Sequence, residues 1–205
     1  MKKHSLKSLK KQLRKATDED LEQIQDEDIQ DCLDEGVLVH EGDLTVSGDL
    51  DINSGALLVL GNLTVSGEVT TDETGTLVVT GNLQGRHLYL EGNLEIQGKA
   101  TLSGVVYGFY EAGISRVYGR TTAKLGLIGN HDWACDDEKF KVSGRFSNFS
   151  ELEEGDPEAI RKLVGDKEFA QLKSMLGLAG EDDEEQEEED DDKNAAWGLK
   201  LFHRV

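Results

Sequence analysis

The chain has 205 residues, 37% of them hydrophobic, enough to bury one sizeable core. Its formal charge of −20 is uneven: residues 1–15 carry seven Lys/Arg and no acid, residues 16–36 carry ten acids, and residues 181–192 carry eleven. No run of about 18 apolar residues exists to span a membrane as a helix, and the basic start lacks the apolar stretch of a secretory signal. With two cysteines far apart and without metal spacing, the expectation is a cytoplasmic protein whose thiols stay reduced.

Residues 1–36 read as a charged helical segment. Leu6, Leu9 and Leu13 fall three and four apart, as on a short amphipathic helix. Thr17 followed by Asp18, Glu19 and Asp20 resembles an N-cap with acids in the first turn, where they meet the positive end of the helix dipole. Leu21, Ile24, Cys32 and Leu33 supply an apolar stripe, and Gly36 is placed as the C′ residue. This second helix is expected to lie over the first coil of the repetitive region that begins at Val37. The basic and acidic helices are expected to neutralise each other, which makes direct nucleic-acid binding unfavoured.

From Val37 to Val106 one phrase recurs: Gly42-Asp43-Leu44-Thr45-Val46, Gly61-Asn62-Leu63-Thr64-Val65, Gly81-Asn82-Leu83 and Gly92-Asn93-Leu94-Glu95-Ile96. Aliphatic residues two apart have the period of a strand with one face buried. The Gly-Asp or Gly-Asn pair before them suits a corner that needs positive or tightly bent dihedrals. Gly42, Gly61 and Gly81 recur roughly every 20 residues, with a further glycine about six residues on, so each unit holds about three very short strands. The fold class is therefore all-β: a parallel β-helix, read as a three-sided β-solenoid, with flanking α-helical segments at both ends. Leu44, Val46, Leu63, Val65, Leu83, Leu94 and Ile96 are the expected stacked core.

The β-helix is expected to cover residues 37–150. After Gly104 the pattern turns aromatic at Tyr107, Phe109 and Tyr110, returns to alternation from Ile114 to Leu127, and ends on a Gly144-Arg-Phe unit. The Gly-Asp/Asn-Leu-x-Val units, with the turn Gly108-Phe-Tyr-Glu-Ala-Gly113 and the later Gly129-Asn-His-Asp132, resemble the bacterial polymer-forming proteins related to bactofilins. Over roughly Val37 to Phe146 that resemblance implies a β-helix, and it implies end-to-end assembly. Helix-like segments at both ends depart from the family's short tails and argue against a polymer.

Residues 151–180 read as a C-terminal helical cap. Asp156-Pro157 suits an N-cap and first helical position, Ile160, Leu163 and Val164 give one apolar face, and Phe169, Leu172 and Leu176 give another. Residues 181–205 read as an acidic tether followed by an apolar peptide containing Trp197, Leu199, Leu201 and Phe202.

The one cluster that resembles a chemical site is His131 to Asp137, with His131, Cys135 and several carboxylates. It lacks the second His/Cys group that a four-ligand zinc site takes, so no metal and no other cofactor is expected. Asp43, Asp49 and Asp51 could be imagined as paired acids for glycoside cleavage, but acids at Gly-Asp corners are what turn chemistry demands. His87 stands alone without the sustained hexapeptide repeat of acyltransferase coils. The chain is thus expected to bind and not to catalyse. The residues singled out for partner binding are Phe109, Tyr110, His131, Asp132, Trp133, Trp197 and Phe202. The expected partner is another protein, basic in charge, met by an acidic inhibitor or immunity-type protein; the alternative is a self-associating, bactofilin-like scaffold.

Overall fold

The computed structural model describes residues 2–33, 36–109 and 112–146, together with Arg161, Lys162 and Asp166. The chain divides into two units, Met1–Arg145 and Phe146–Val205. In the second, Arg161, Lys162 and Asp166 are helical and exposed, and Arg161 Nε donates to Asp166 Oδ1 at 2.6 Å. The remainder of the expected 151–180 cap, the acidic tether and the apolar peptide lie outside the described residues.

The first unit opens with β1 (Lys3–Ser5), α1 (Leu6–Leu9), a 3-10 turn (Lys10–Gln12), β2 (Arg14–Lys15), α2 (Asp18–Leu21) and α3 (Glu27–Asp31). A β-solenoid of about five turns follows. Its first coil holds β3 (Leu38–Glu41), β4 (Leu44–Val46) and β5 (Asp49–Ile52). Its second holds β6 (Gly55–Leu60), β7 (Leu63–Val65) and β8 (Glu68–Thr71). The third holds β9 (Gly75–Val79), β10 (Leu83–Gly85) and β11 (His87–Leu90), and the fourth β12 (Asn93–Ile96), β13 (Ala100–Leu102) and β14 (Val105–Phe109). The fifth is one long strand, β15 (Ile114–Gly129), beside which runs β16 (Asp132–Phe146).

Each strand pairs in parallel with its counterpart one coil on, giving three ladders. The first runs β3-β6-β9-β12-β15, the second β4-β7-β10-β13-β15 and the third β5-β8-β11-β14-β15. The register places Leu44 on Leu63 and Leu63 on Leu83, so the aliphatic residues of the repeat stack in files. All seven residues expected in the core are buried, each no more than 3% exposed.

The corner glycines serve a purpose other than the one read from sequence. Gly42 does have a positive φ of 77°, but the equivalent glycines in later coils do not. What they need is room: a Cβ on Gly61 would lie 2.6 Å from the Gly42 carbonyl carbon, and one on Gly81 would lie 2.7 Å from the Gly61 oxygen. The neighbouring Asp/Asn side chains exploit this closeness. Asp43 Oδ1 accepts from the Asn62 backbone N–H and Nδ2, Asn62 Oδ1 accepts from the same two donors of Asn82, and Asn82 Oδ1 accepts from the Lys99 N–H.

Residues 2–15 do not form the expected amphipathic helix. β1 pairs in parallel with β5, and β2 pairs antiparallel with β3, so two of the three strand edges of the first coil are occupied by the chain's own start. Leu9 is buried in the solenoid core and Leu6 and Leu13 pack against it. The leucine spacing was a sign of burial, and backbone edges in need of partners took the flanking residues as strands.

The acidic segment departs further. The Thr17 cap is present, with Asp20 N–H to Thr17 Oγ1 at 3.4 Å and Thr17 N–H to Asp20 Oδ2 at 2.7 Å. The helix, however, ends at Leu21, and α3 starts afresh with Asp26 as N-cap, its Oδ1 accepting from Ile29 N–H at 3.0 Å. Between them the N–H groups of Gln25 and Asp26 turn towards the wholly buried carboxylate of Glu95, at 3.0–3.1 Å. The segment thus does not cover the end of the column. It is a strap along the outward side of the first ladder, where Ile24 and Ile29 pack with Val39, Ala56, Leu58 and Val78. Arg116 in the fifth coil fastens it: Nε donates to Asp26 Oδ2 at 2.9 Å and an NH2 group to Asp132 Oδ2 at 2.6 Å.

Two outcomes are expected. Gly81→Ala, which forces a Cβ into the Gly61 carbonyl, should destabilise the first unit by about 1–3 kcal/mol, read as a lowered urea midpoint with an unchanged m-value. Glu95→Ala removes the acceptor of the Gln25 and Asp26 N–H groups and should cost ~1 kcal/mol or more, with hydrogen exchange at Gln25 and Asp26 accelerating far more than exchange within β7 or β9.

Candidate binding surfaces

Of the seven residues expected to meet a partner, the structure describes four. Phe109, half-buried, ends β14 in a row of rings along the outward side of the third ladder. Its ring stacks on Tyr107 (6.3 Å), Tyr107 meets Tyr89 edge-on (6.3 Å), and Tyr89 stacks on His87 (5.7 Å). His131, Asp132 and Trp133 open the last strand, where each has an architectural task. The His131 ring fills the space left by two glycines, since a Cβ on Gly113 would collide with it and one on Gly108 would come within 3.1 Å. Its Nε2 shares a 2.8 Å hydrogen bond with Ser115 Oγ. Asp132 holds Arg116, and the guanidinium beside it keeps its carboxyl below the usual carboxylate range. Trp133 packs with Cys135 and Phe140 against the core while its indole N–H donates to Glu138 at 2.6 Å. Tyr110, Trp197 and Phe202 lie outside the described residues.

Contacts between β15 and the 131–137 stretch are spread along both strands: Ser115–His131 and Arg116–Asp132 at its start, then Thr121–Cys135 and Arg120–Asp137 further on. The His131–Asp137 stretch is therefore laid out along a strand and not gathered round a point. Among the described residues no three His, Cys, Asp or Glu side chains converge to hold a metal ion. His87 is buried, with Nδ1 accepting from the Val105 N–H at 3.0 Å, so that lone pair is engaged in the ladder. The three acids weighed for glycoside cleavage are likewise engaged in turns and ladders. Asp43 caps Asn62, Asp49 accepts from the Glu68 N–H at 3.0 Å, and Asp51 accepts from the Thr70 hydroxyl.

What the sequence reading missed is a flank of carboxylates. Asp49, Asp51 and Glu68 lie on the third ladder, and Asp72, Glu73 and Glu91 at the corners leading out of it. Lys3 reaches Asp51 at 3.8 Å, but the acids outweigh their cations. Partial burial, then the negative charge of Asp49, pushes the Glu68 carboxyl above its ordinary value; burial, then Asp72 and Glu73, does the same to Glu91. The signal was present in Asp49-Leu-Asp51 and Glu68-Val, where acids alternate with inward aliphatics, and in the corner pair Asp72-Glu73.

Comparison with protein families, curated proteins and solved structures finds no match to this chain.

The two kinds of shifted carboxyl have opposite consequences. A group raised in the fold favours unfolding above its raised value, and that penalty disappears as pH falls below the ordinary carboxylate range. Glu91→Gln is therefore expected to raise the melting temperature at pH 7 and leave it nearly unchanged at about pH 3, below the range where the free carboxylate ionises. Asp132→Asn should do the reverse: it lowers the melting temperature at pH 7, and the difference shrinks as acid protonates the wild-type carboxylate. Differential scanning fluorimetry of both variants across pH reads the two trends.

Proposed function

We propose that the protein is a non-enzymatic, protein-binding β-solenoid, a three-sided column with helical segments at both ends, that works as an acidic inhibitor of a basic partner, in the manner of an immunity protein. The observation that carries this reading is the occupied first coil. β1 lies on β5, β2 lies on β3 and Leu9 enters the core, so stacking of another chain on those ladders would first have to displace residues 2–15. A column closed in this way offers its flanks instead. In the flank of Asp49, Asp51, Glu68, Asp72, Glu73 and Glu91, the Glu68 and Glu91 carboxyls are raised by burial and by their acidic neighbours, and an arriving cation relieves that repulsion. Complementary charge also speeds encounter and selects partners by sign.

A bactofilin-like scaffold is the second reading. What favours it is β4, whose only strand partner among the described residues is β7, leaving a three-residue edge open at the first coil. So short an edge is the usual way of discouraging strand addition.

Sedimentation of the full chain at physiological salt is expected to give one slow boundary. Filaments would put the scaffold first. For the inhibitor, the protein should capture from native lysate a partner of basic pI and block that partner's activity. The double variant Glu73→Lys with Glu91→Lys, its fold checked by circular dichroism, should bind it at least about ten-fold more weakly. Capture indifferent to both charge reversal and salt would overturn the acidic flank as the binding surface.

A further inference from the structure

We infer that the lysine-rich start of the solenoid is a docking surface for the phosphate backbone of nucleic acid, contacted end-on and without sequence preference. The reason to discount such contact was mutual neutralisation by the acidic segment, and the structure shows how little of that occurs. Arg14 is taken up by Asp20 and Glu41, and Lys3 faces Asp51. Lys2, Lys7, Lys10, Lys11 and Lys15 are exposed and form no ion pair among the described residues.

These lysines project from a fixed frame. β1 and β2 are hydrogen-bonded into the first coil, and α1 with its 3-10 turn spans the distance between them. Residues 2–15 contain no carboxylate. The strap carries its acids away along the first ladder as far as Arg116, leaving Asp18 and Glu19 as the nearest exposed acids in sequence. Coils stack at about 4.8 Å, and at physiological salt charge is screened over roughly 8 Å. Glu73 and Glu91, at the corners that end the second and third coils, are therefore largely hidden from a ligand at the start of the column, yet they would repel a polyanion laid along it.

The chemistry favours nucleic acid over a lipid surface. Leu9 is buried and Leu6 and Leu13 pack on the core, so the leucines of this segment are not available to enter a bilayer. Nor does the segment expose an aromatic ring or a free guanidinium that could read bases, while lysine ammonium groups suit phosphates as point charges.

The test is fluorescence anisotropy of the full chain with two labelled duplexes of about 20 bp and unrelated sequence, over about 25–150 mM salt. Five phosphate contacts predict a log–log salt slope of roughly −4 to −5, the same for both sequences. The variant Lys7→Gln, Lys10→Gln, Lys11→Gln, all exposed and thus expected to keep the wild-type melting temperature, should flatten the slope by roughly three and weaken binding at least about ten-fold at the lowest salt. Lys139→Gln with Lys141→Gln, removing two exposed cations of β16, should leave binding unchanged. Absence of binding at the lowest salt, a slope insensitive to the triple variant, or saturation by phosphatidylserine vesicles at lower phosphate concentration than by duplex would each overturn the proposal.

Discussion

Coils of this solenoid can hydrogen-bond to one another only because their corner backbones approach closer than any Cβ would permit. Gly42, Gly61, Gly81, Gly98 and Gly119 stand in file at one corner, and each from Gly61 onwards would strike the carbonyl of the glycine before it if it bore a side chain. Once that approach is made, the other contacts fall into place in order. Asp43, Asn62 and Asn82 close a ladder of side-chain hydrogen bonds beside the glycines, and the leucines next in the chain come into register one above another. The aliphatic files then exclude water from a core that no single coil could have closed alone.

A fold built by stacking leaves its problems at the edges, and the charged beginning of the chain resolves two of them. The first fourteen or so residues meet the open strands of the first coil, and the next eighteen or so cover the outward side of the first ladder. Arg116 joins this cover to the last strand through Asp26 and Asp132, both within 2.9 Å, so that segments more than 100 residues apart in the chain share one guanidinium. Its exposure of only 17% makes the arrangement more than a surface pair, since a guanidinium largely withdrawn from water is costly unless its carboxylates remain in place.

The repeat was legible because it is periodic: Leu63 and Val65 alternate with Thr64, and alternation states which side is inside. The strap was less legible, although its sign was there. Leu57-Leu58-Val59-Leu60 and Leu77-Val78-Val79 do not alternate at all, and an unbroken aliphatic run marks a strand covered on both sides. Read as two inward residues per strand, the run conceals Leu58 and Val78, which face Ile24 and Ile29. The split between α2 and α3 could not be read locally, because its cause, the Glu95 carboxylate, is 70 residues away. For the binding residues the difficulty was of another kind. His131, Asp132 and Trp133 stand out in sequence by chemical type, but type does not distinguish a side chain that meets a ligand from one that fills a corner, holds an arginine or packs on the core.

The distance between the strap and its anchors sets an order on the birth of the protein. Gln25 and Asp26 leave the ribosome long before Glu95 and Arg116, with separations of 69–90 residues. At a synthesis rate of ~5–20 residues per second, the strap waits roughly 5–20 s for its last fastenings. Coils one to three can stack in that interval, because their pairings are with near neighbours in the chain, while the strap over Leu58 and Val78 lacks its Glu95 and Arg116 hydrogen bonds until the fourth and fifth coils arrive. The apolar side of the first ladder is thus under a loosely held cover on the nascent chain and a fastened one on the finished protein.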